Sequence, residues 1–279
     1  MDKKPKISIV LPSYNRADYL KKTISSCLNQ TFTDFELIIV DDASSDNSPA
    51  IIKRYSDIDG RIKFIRNSVN KKLPASLNIG FNQAQGDYFT WISDDNLYHP
   101  DALRKMASCL NARPETGLVY ADYTLIDEQG DIGKRIYQEE PEFLPIRDCV
   151  GACFLYRAEI AGKVGNYNEK MFLVEDYEYW LRFGLVTKFF HIKEALYFYR
   201  THANSLTKTR REEIRLAKNN LKKIYGPKYK INEKYQPLYD LYMWFISERD
   251  LKSYIRLAKI IIYHPIITLS YIIRNLRRL

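Results

Sequence analysis

Short β-branched apolar runs alternate with stretches of helical periodicity through the first 116 residues, and this alternation limits the possible folds most. Residues 7–11 form an apolar run with no polar face, the pattern of a strand covered on both sides. Ala17, Leu20, Ile24, Cys27 and Leu28 follow at helical spacing. Residues 35–40 make a second strand. Ser48 then reads as an N-cap with Pro49 at the first helical position, opening a helix through Tyr55. Residues 62–65 are a third strand, and Pro74 opens a helix to about Ala84. Residues 88–92 are a fourth strand, and Pro100 starts a helix through Leu110. Repeated strand–helix units predict an α/β fold with a mostly parallel, Rossmann-like sheet flanked by helices.

The pattern changes from about Gly117. Residues 118–126, a turn over 128–131, and residues 151–156, 189–192 and 196–200 read as strands of a mixed region, with a short helix over 175–183. Beyond Thr207 the chain becomes basic and helical over 208–223. It is helical again over 238–279, broken at Pro265.

Ligands of open α/β sheets bind beyond the carboxyl ends of the strands. Four consecutive strands end there in polar clusters: Pro12 to Arg16, Asp41 to Asp46, Arg66 with Asn67, and Ser93 to Asn96. One such cluster would pass for a helix cap or a solvated turn. Four at one edge describe a binding crevice. The chain has neither a GxGxxG nor a GxxxxGK[ST] pattern, so dinucleotide and P-loop chemistry lose their main support. Asp94 and Asp95 offer instead the hard oxygens that hold a divalent cation against substrate phosphates.

Composition narrows the partners. The formal charge of +9 suits an anionic partner: nucleic acid, a phosphorylated substrate or a lipid surface. The basic residues concentrate in an isoleucine-rich tail rather than an aromatic-studded groove, which ranks nucleic acid last. The 22 tyrosines suit a carbohydrate surface and equally suit half-buried strands. Cys27, Cys109, Cys149 and Cys153 lack zinc-site spacing and read as reduced cytosolic thiols. The N-terminus runs into the first strand with no signal-peptide pattern.

The order of the motifs resembles family-2 glycosyltransferases over roughly residues 6–207. Residues 7–16 resemble the family's opening block and residues 30–46 its second. Residues 70–75 with Asn78 and Gly80 resemble the third, although Lys71 and Lys72 stand where a glycine is usual. Residues 93–100 resemble the DxD region, residues 174–182 the Glu-Asp motif, and residues 199–202 the late Arg-x-His element. The resemblance implies a GT-A fold that transfers a sugar from a nucleoside-diphosphate sugar, UDP-linked by preference, to an acceptor hydroxyl with inversion. It implies cell-surface polysaccharide or glycolipid synthesis, with a carbohydrate or lipid-linked acceptor. On that basis residues 1–207 are the catalytic domain, with a nucleotide-binding half over 1–116 and an acceptor-side half over 117–207. Residues 208–279 are a helical extension.

Site roles follow from the same resemblance. Pro12, Tyr14, Asn15, Asp41 and Asp42 hold the nucleoside, with either aspartate able to meet the base. Arg66 meets the base or a phosphate, Asn78 belongs to the third block, and Asp94 lies nearer the ribose or sugar. Asp95 is the ligand of Mn2+ or Mg2+. Arg200 and His202 contact the diphosphate or the ion. Asp176 is the general base, with Glu175 the near alternative, since successive helical residues point about 100° apart. Trp91 and Trp180 read as core.

The tail over 257–273 is apolar and flanked by Arg256 and Arg274, short for a membrane span. It reads as a pair of interfacial helices on anionic lipid, placing the protein in the cytoplasm at the membrane's inner face. The other option is a helix packed on the domain or in a homo-oligomer. Two functional alternatives stay open from sequence: a metal-dependent nucleotidyltransferase, whose glycine-rich phosphate loop is missing after strand one, and a non-catalytic nucleotide-sugar-binding protein.

Overall fold

The structure is a computed structural model that describes residues 4–203 and 205–246. Strand β1 (Ile7–Ser13) and strand β2 (Phe35–Asp41) are buried at every position, as their mostly apolar runs require, and the buried Ser8 hydroxyl donates to Glu36 Oε1 at 2.6 Å. They pair in parallel with each other, and β2 pairs in parallel with β3 (Ile62–Arg66). On its other side β1 pairs in parallel with β4 (Tyr88–Trp91). Helices α1 (Ala17–Leu28), α2 (Ser48–Ile58) and α3 (Leu73–Phe81) make the connections. All four strands therefore end at one edge of the sheet, where the sequence places its four polar clusters.

The sheet continues through the second half as a mixed sheet. After the two-residue β5 (Leu97–Tyr98) and helix α4 (Ala102–Asn111) come β6 (Thr116–Ile126), β7 (Ile132–Ile136) and β8 (Phe154–Arg157). Helix α5 (Ala158–Val164), helix α6 (Glu175–Gly184) and β9 (Lys188–Arg200) complete it. The strand order is β3-β2-β1-β4-β8-β6-β9-β5, with β7 paired to β6. Strand β8 is antiparallel to both β4 and β6, and so joins the two halves. The short strands β5 and β7 and the helix α5 are additions to the sequence expectation. Residues 189–192 and 196–200 form one strand whose register shifts along β6. Strand β8 begins later than expected because Gly151 adopts φ +66°, a turn conformation.

Two cores flank the sheet. Leu20, Ile24, Ile51, Leu103 and Met106 pack one face with Ile9, Leu11 and Ile39. Val10, Ile38 and Val40 point to the other face, against Leu77, Tyr156, Trp180 and Phe183. Burying a side chain of this size is worth about 1.5–3 kcal/mol. Helix α3 lies so close to β1 that a Cβ at Gly80 would sit 2.5 Å from Val10 Cγ1. Trp180 lies in the core, and Trp91 is half-buried with its indole N–H donating to the Tyr167 hydroxyl at 3.1 Å. The four cysteines are free.

Beyond β9 come the single turn α7 (Leu206–Thr209), α8 (Arg211–Tyr225) and α9 (Gln236–Ile246). Helix α8 is built onto the second core through Leu221, Ile214 and Ala217. The Tyr225 hydroxyl donates to Glu178 at 2.7 Å, and the Tyr229 hydroxyl to the Leu181 carbonyl at 2.6 Å. The extension thus braces α6. Among the described residues no helix is long and apolar enough to cross a membrane. The apolar tail over 257–273, with the membrane contact expected of it, lies outside the described residues.

Candidate active site

The loops after β1, β2 and β4 are tied to one another by side-chain bonds to main-chain amides. The Tyr14 amide donates to Asp94 Oδ2 at 3.0 Å, and Arg16 Nε lies 3.9 Å from Asp94 Oδ1. Asn15 takes φ +52°, donates its amide to Ser44 Oγ at 3.0 Å and accepts the Ser45 amide at 2.8 Å. Pro12 is buried opposite Val40, whereas Tyr14 is 47% exposed and free to meet a ligand.

The two aspartates after β2 have different tasks. Asp42 accepts from Asn67 Nδ2 at 2.8 Å and from the Lys71 and Lys72 amides at 2.8 and 2.9 Å, so both oxygens organise the 67–72 loop. Asp41 is fully buried, 3.2 Å from Arg66 Nε, and its Oδ1 has no hydrogen-bond partner. Arg66 also donates to the Ser44 carbonyl at 3.1 Å.

Lys72 itself has φ +72° and ψ 165°, a conformation close to glycine-only. The lysine holds the backbone shape that glycine usually supplies. Lys72→Gly is expected to raise unfolding free energy by about 1 kcal/mol, because strain relief exceeds the gain in unfolded-chain entropy. Urea titration reads this, and a lower midpoint would show the loop to be unstrained. Among the described residues the non-glycine positions with positive φ are Asn15, Ala43, Lys72 and Leu173, and all four border these loops or the start of α6. Such strain concentrates at functional sites.

At the end of β4, Asp95 Oδ2 lies 3.0 Å from His202 Nε2. Burial and the neighbouring Asp95 charge push Asp94 up to about 7, against the pull of the Tyr14 amide and Arg16. Arg200 is almost fully buried. Its Nε donates to the Asp95 carbonyl at 2.8 Å, and its Nη1 to the Asp127 and Glu128 carbonyls at 2.7 and 3.0 Å. Its amide donates to Asn96 Oδ1 at 2.7 Å, and its guanidinium lies 4.8 Å from the Tyr19 ring centre. Most of the guanidinium therefore holds main chain, and Nη2 alone of its nitrogens has no partner.

Asn78 stands apart from this group. It donates to the Tyr167 carbonyl at 3.0 Å and to Glu169 at 3.2 Å, and accepts the Tyr167 amide at 2.9 Å. It anchors the loop that leads to α6 rather than facing the crevice.

The second acidic centre is the first turn of α6. Asp176 Oδ1 accepts the Tyr177 amide at 2.6 Å, and the buried Glu175 leaves Oε2 without a partner. Both carboxyls are pushed up from the carboxylate range. Burial and then the Asp176 charge act on Glu175. Burial and then Asp148 act on Asp176, while Lys218 pulls it down. Burial, and then the charges of Asp95 and Asp176, hold the Tyr199 hydroxyl above its ordinary value.

The family profile described as "Glycosyl transferase family 2" matches residues 8–165. The chain belongs to glycosyl transferase family 2. A putative glycosyltransferase of Bacillus subtilis, EpsE, is 33% identical over 206 residues, 71% of this chain and 73% of that one. The 1–349 region of Staphylococcus aureus TarS, solved with UDP, overlays with TM-score 0.61 at 16% identity, covering 86% of this chain and 80% of that one. A Pyrobaculum calidifontis mannosyltransferase, solved with GDP-Man and Mn2+, overlays with TM-score 0.67 at 14% identity, covering 97% of this chain and 84% of that one. At these identities the two overlays establish the GT-A fold.

A divalent cation fits this family-2 site on its donor chemistry. Among the described residues no three His, Cys, Asp or Glu side chains converge to close a protein-only site. Asp95 and His202 form a two-donor pair of carboxylate and imidazole, sufficient for an ion that takes its other ligands from phosphate and water. Sequence reasoning missed Asn96, Asp148, Tyr199 and Lys218. Asn96 lay inside the DxD block and Tyr199 inside the late Arg-x-His block, but nothing in sequence spacing marks Asp148 or Lys218.

Proposed function

We propose that the chain is an inverting, metal-dependent glycosyltransferase that moves a sugar from a nucleoside-diphosphate donor, UDP-linked by preference, to an acceptor hydroxyl. The observation that carries the reading is the presence of two acidic pairs, Asp94–Asp95 at the end of β4 and Glu175–Asp176 at the start of α6, whose charges both act on Tyr199. Asp41 and Arg66 take the base as an ion pair, the half-exposed Arg66 meeting the ligand and the buried Asp41 holding it 3.2 Å away, with Tyr14 and Asn15 beside them. Asp95 and His202 hold Mn2+ or Mg2+, which when bound neutralises charge on the leaving diphosphate. Asp176 accepts the proton of the acceptor hydroxyl as its oxygen bonds to C1. The bond from C1 to the phosphate oxygen breaks, and its electron pair leaves with the nucleoside diphosphate. Attack opposite the leaving group inverts the anomeric carbon.

TarS was solved with UDP and with UDP-GlcNAc, and the mannosyltransferase with GDP-Man and Mn2+, which supports a nucleotide-sugar donor and a divalent ion. A carbohydrate or lipid-linked acceptor at the cytoplasmic face of the membrane completes the proposal, in cell-surface polysaccharide or glycolipid synthesis.

Thermal melting against UDP-, GDP- and dTDP-sugars, with and without Mn2+, tests it. A donor at about a hundred times its Kd adds about 2.7 kcal/mol, a rise of roughly 5–10 °C for a chain this size. Asp95→Ala is expected to abolish the Mn2+-dependent part of that rise. An undiminished rise would remove Asp95 from the metal site.

A further inference from the structure

We propose that Lys218, on helix α8 of the extension, is a positioning residue of the reaction centre: it holds the Asp148 carboxylate in an ion pair and lends its charge to Asp176. Lys218 Nζ donates to Asp148 Oδ2 at 2.7 Å and lies 5.5 Å from the Tyr177 ring centre. The pair comes from two distant stretches, the loop ahead of β8 and α8, and closes over the first turn of α6. Asp148 Oδ1 is buried without a hydrogen-bond partner, and the Lys218 ammonium on Oδ2 is the cation that balances the carboxylate. Without that ammonium a second partly buried carboxylate would confront Asp176.

The titratable groups that interact electrostatically with Asp176 come from several elements. They are Glu175 on α6, Asp148 on the loop ahead of β8, Tyr167 on the loop ahead of α6, Tyr199 on β9 and Lys218 on α8. Lys222, one turn further along α8, donates to the Tyr242 hydroxyl at 2.6 Å. Burial and then the Lys218 charge push it down to about 8, so it is a poor substitute for Lys218. The effects on Asp176 have opposite signs: Asp148 raises it and Lys218 lowers it. A transferase with its base in this position depends on the extension for the charge of that base, and this inference rests on the assignment of Asp176.

The test follows the carbon-13 carboxyl resonance of Asp176 against pH in the full chain, assigned by its loss in Asp176→Asn. Lys218→Met is expected to raise the midpoint by about one pH unit, and Lys218→Arg to restore it to within about half a unit. Asp148→Asn is expected to lower it. General loosening of the site would move Lys218→Met and Asp148→Asn in the same direction. An unchanged midpoint in a folded Lys218→Met overturns the proposal. Should that variant not fold, an unchanged or raised midpoint in Asp148→Asn overturns it. The base assignment is read separately, by diphosphate release from UDP-GlcNAc and GDP-mannose: turnover retained in Asp176→Asn defeats that assignment and leaves the titration result standing.

Discussion

Asparagine at position 176 is expected to lower turnover by about a hundred to ten thousand fold while nucleotide-sugar affinity stays within a few-fold. The substitution keeps shape and the acceptor oxygen that meets the Tyr177 amide. It removes only the capacity to take a proton. Wild-type turnover should fall with acidification through a midpoint above the ordinary aspartate value of about 3.9, because burial and Asp148 both favour the protonated form. In Asp176→Asn that limb should disappear from the residual rate.

A stability effect of opposite sign accompanies the loss. A carboxyl whose folded value is raised binds more protons folded than unfolded between the two values. Stability therefore falls as pH rises through that window. Removing the charge removes the cost, so Asp176→Asn should melt no lower than wild type at neutral pH. An inactive variant that is as stable or more stable separates a chemical role from a structural one. Full turnover would leave Glu175 as the candidate base.

The parts of this site that the sequence made legible sit where local rules are strong. Strands β1 and β2 are covered on both faces, so they read as apolar runs, and the loops after them had to carry the polar residues. Strands β5 and β7 escaped because one has two residues and the other lies at the exposed margin of the sheet. The choice between Asp41 and Asp42 needed the fold, since only the position of the 67–72 loop commits Asp42 to three donors. Asp148 and Lys218 lie 70 positions apart, and a lysine on a basic amphipathic helix looks like a solvated one until the helix is docked. The abundant tyrosines turn out to serve the interior in large part: Tyr120, Tyr156, Tyr177 and Tyr197 are fully buried.

Arg200 distinguishes a residue that contacts substrate from one that builds the place where substrate binds. Arg200→Leu is expected to cost about 2–4 kcal/mol in urea unfolding, because it removes a buried guanidinium that donates to the carbonyls of Asp95, Asp127 and Glu128 and takes the cation from the Tyr19 ring. The single losses will not sum, since the bonds form one network. Arg200→Lys should recover only part, because one ammonium cannot reproduce the guanidinium fork that spans the Asp95 carbonyl on one side and the Asp127 and Glu128 carbonyls on the other. The Asp95 backbone is fastened by the same bonds as the turn after β6, so the Mn2+-dependent melting rise should shrink along with stability. If Arg200 served only a diphosphate, through its unpartnered Nη2, Arg200→Leu would weaken donor binding and leave the unfolding midpoint of the free protein where it was. The hydrogen bonds favour the first outcome, because two of the three guanidinium nitrogens hold main-chain carbonyls.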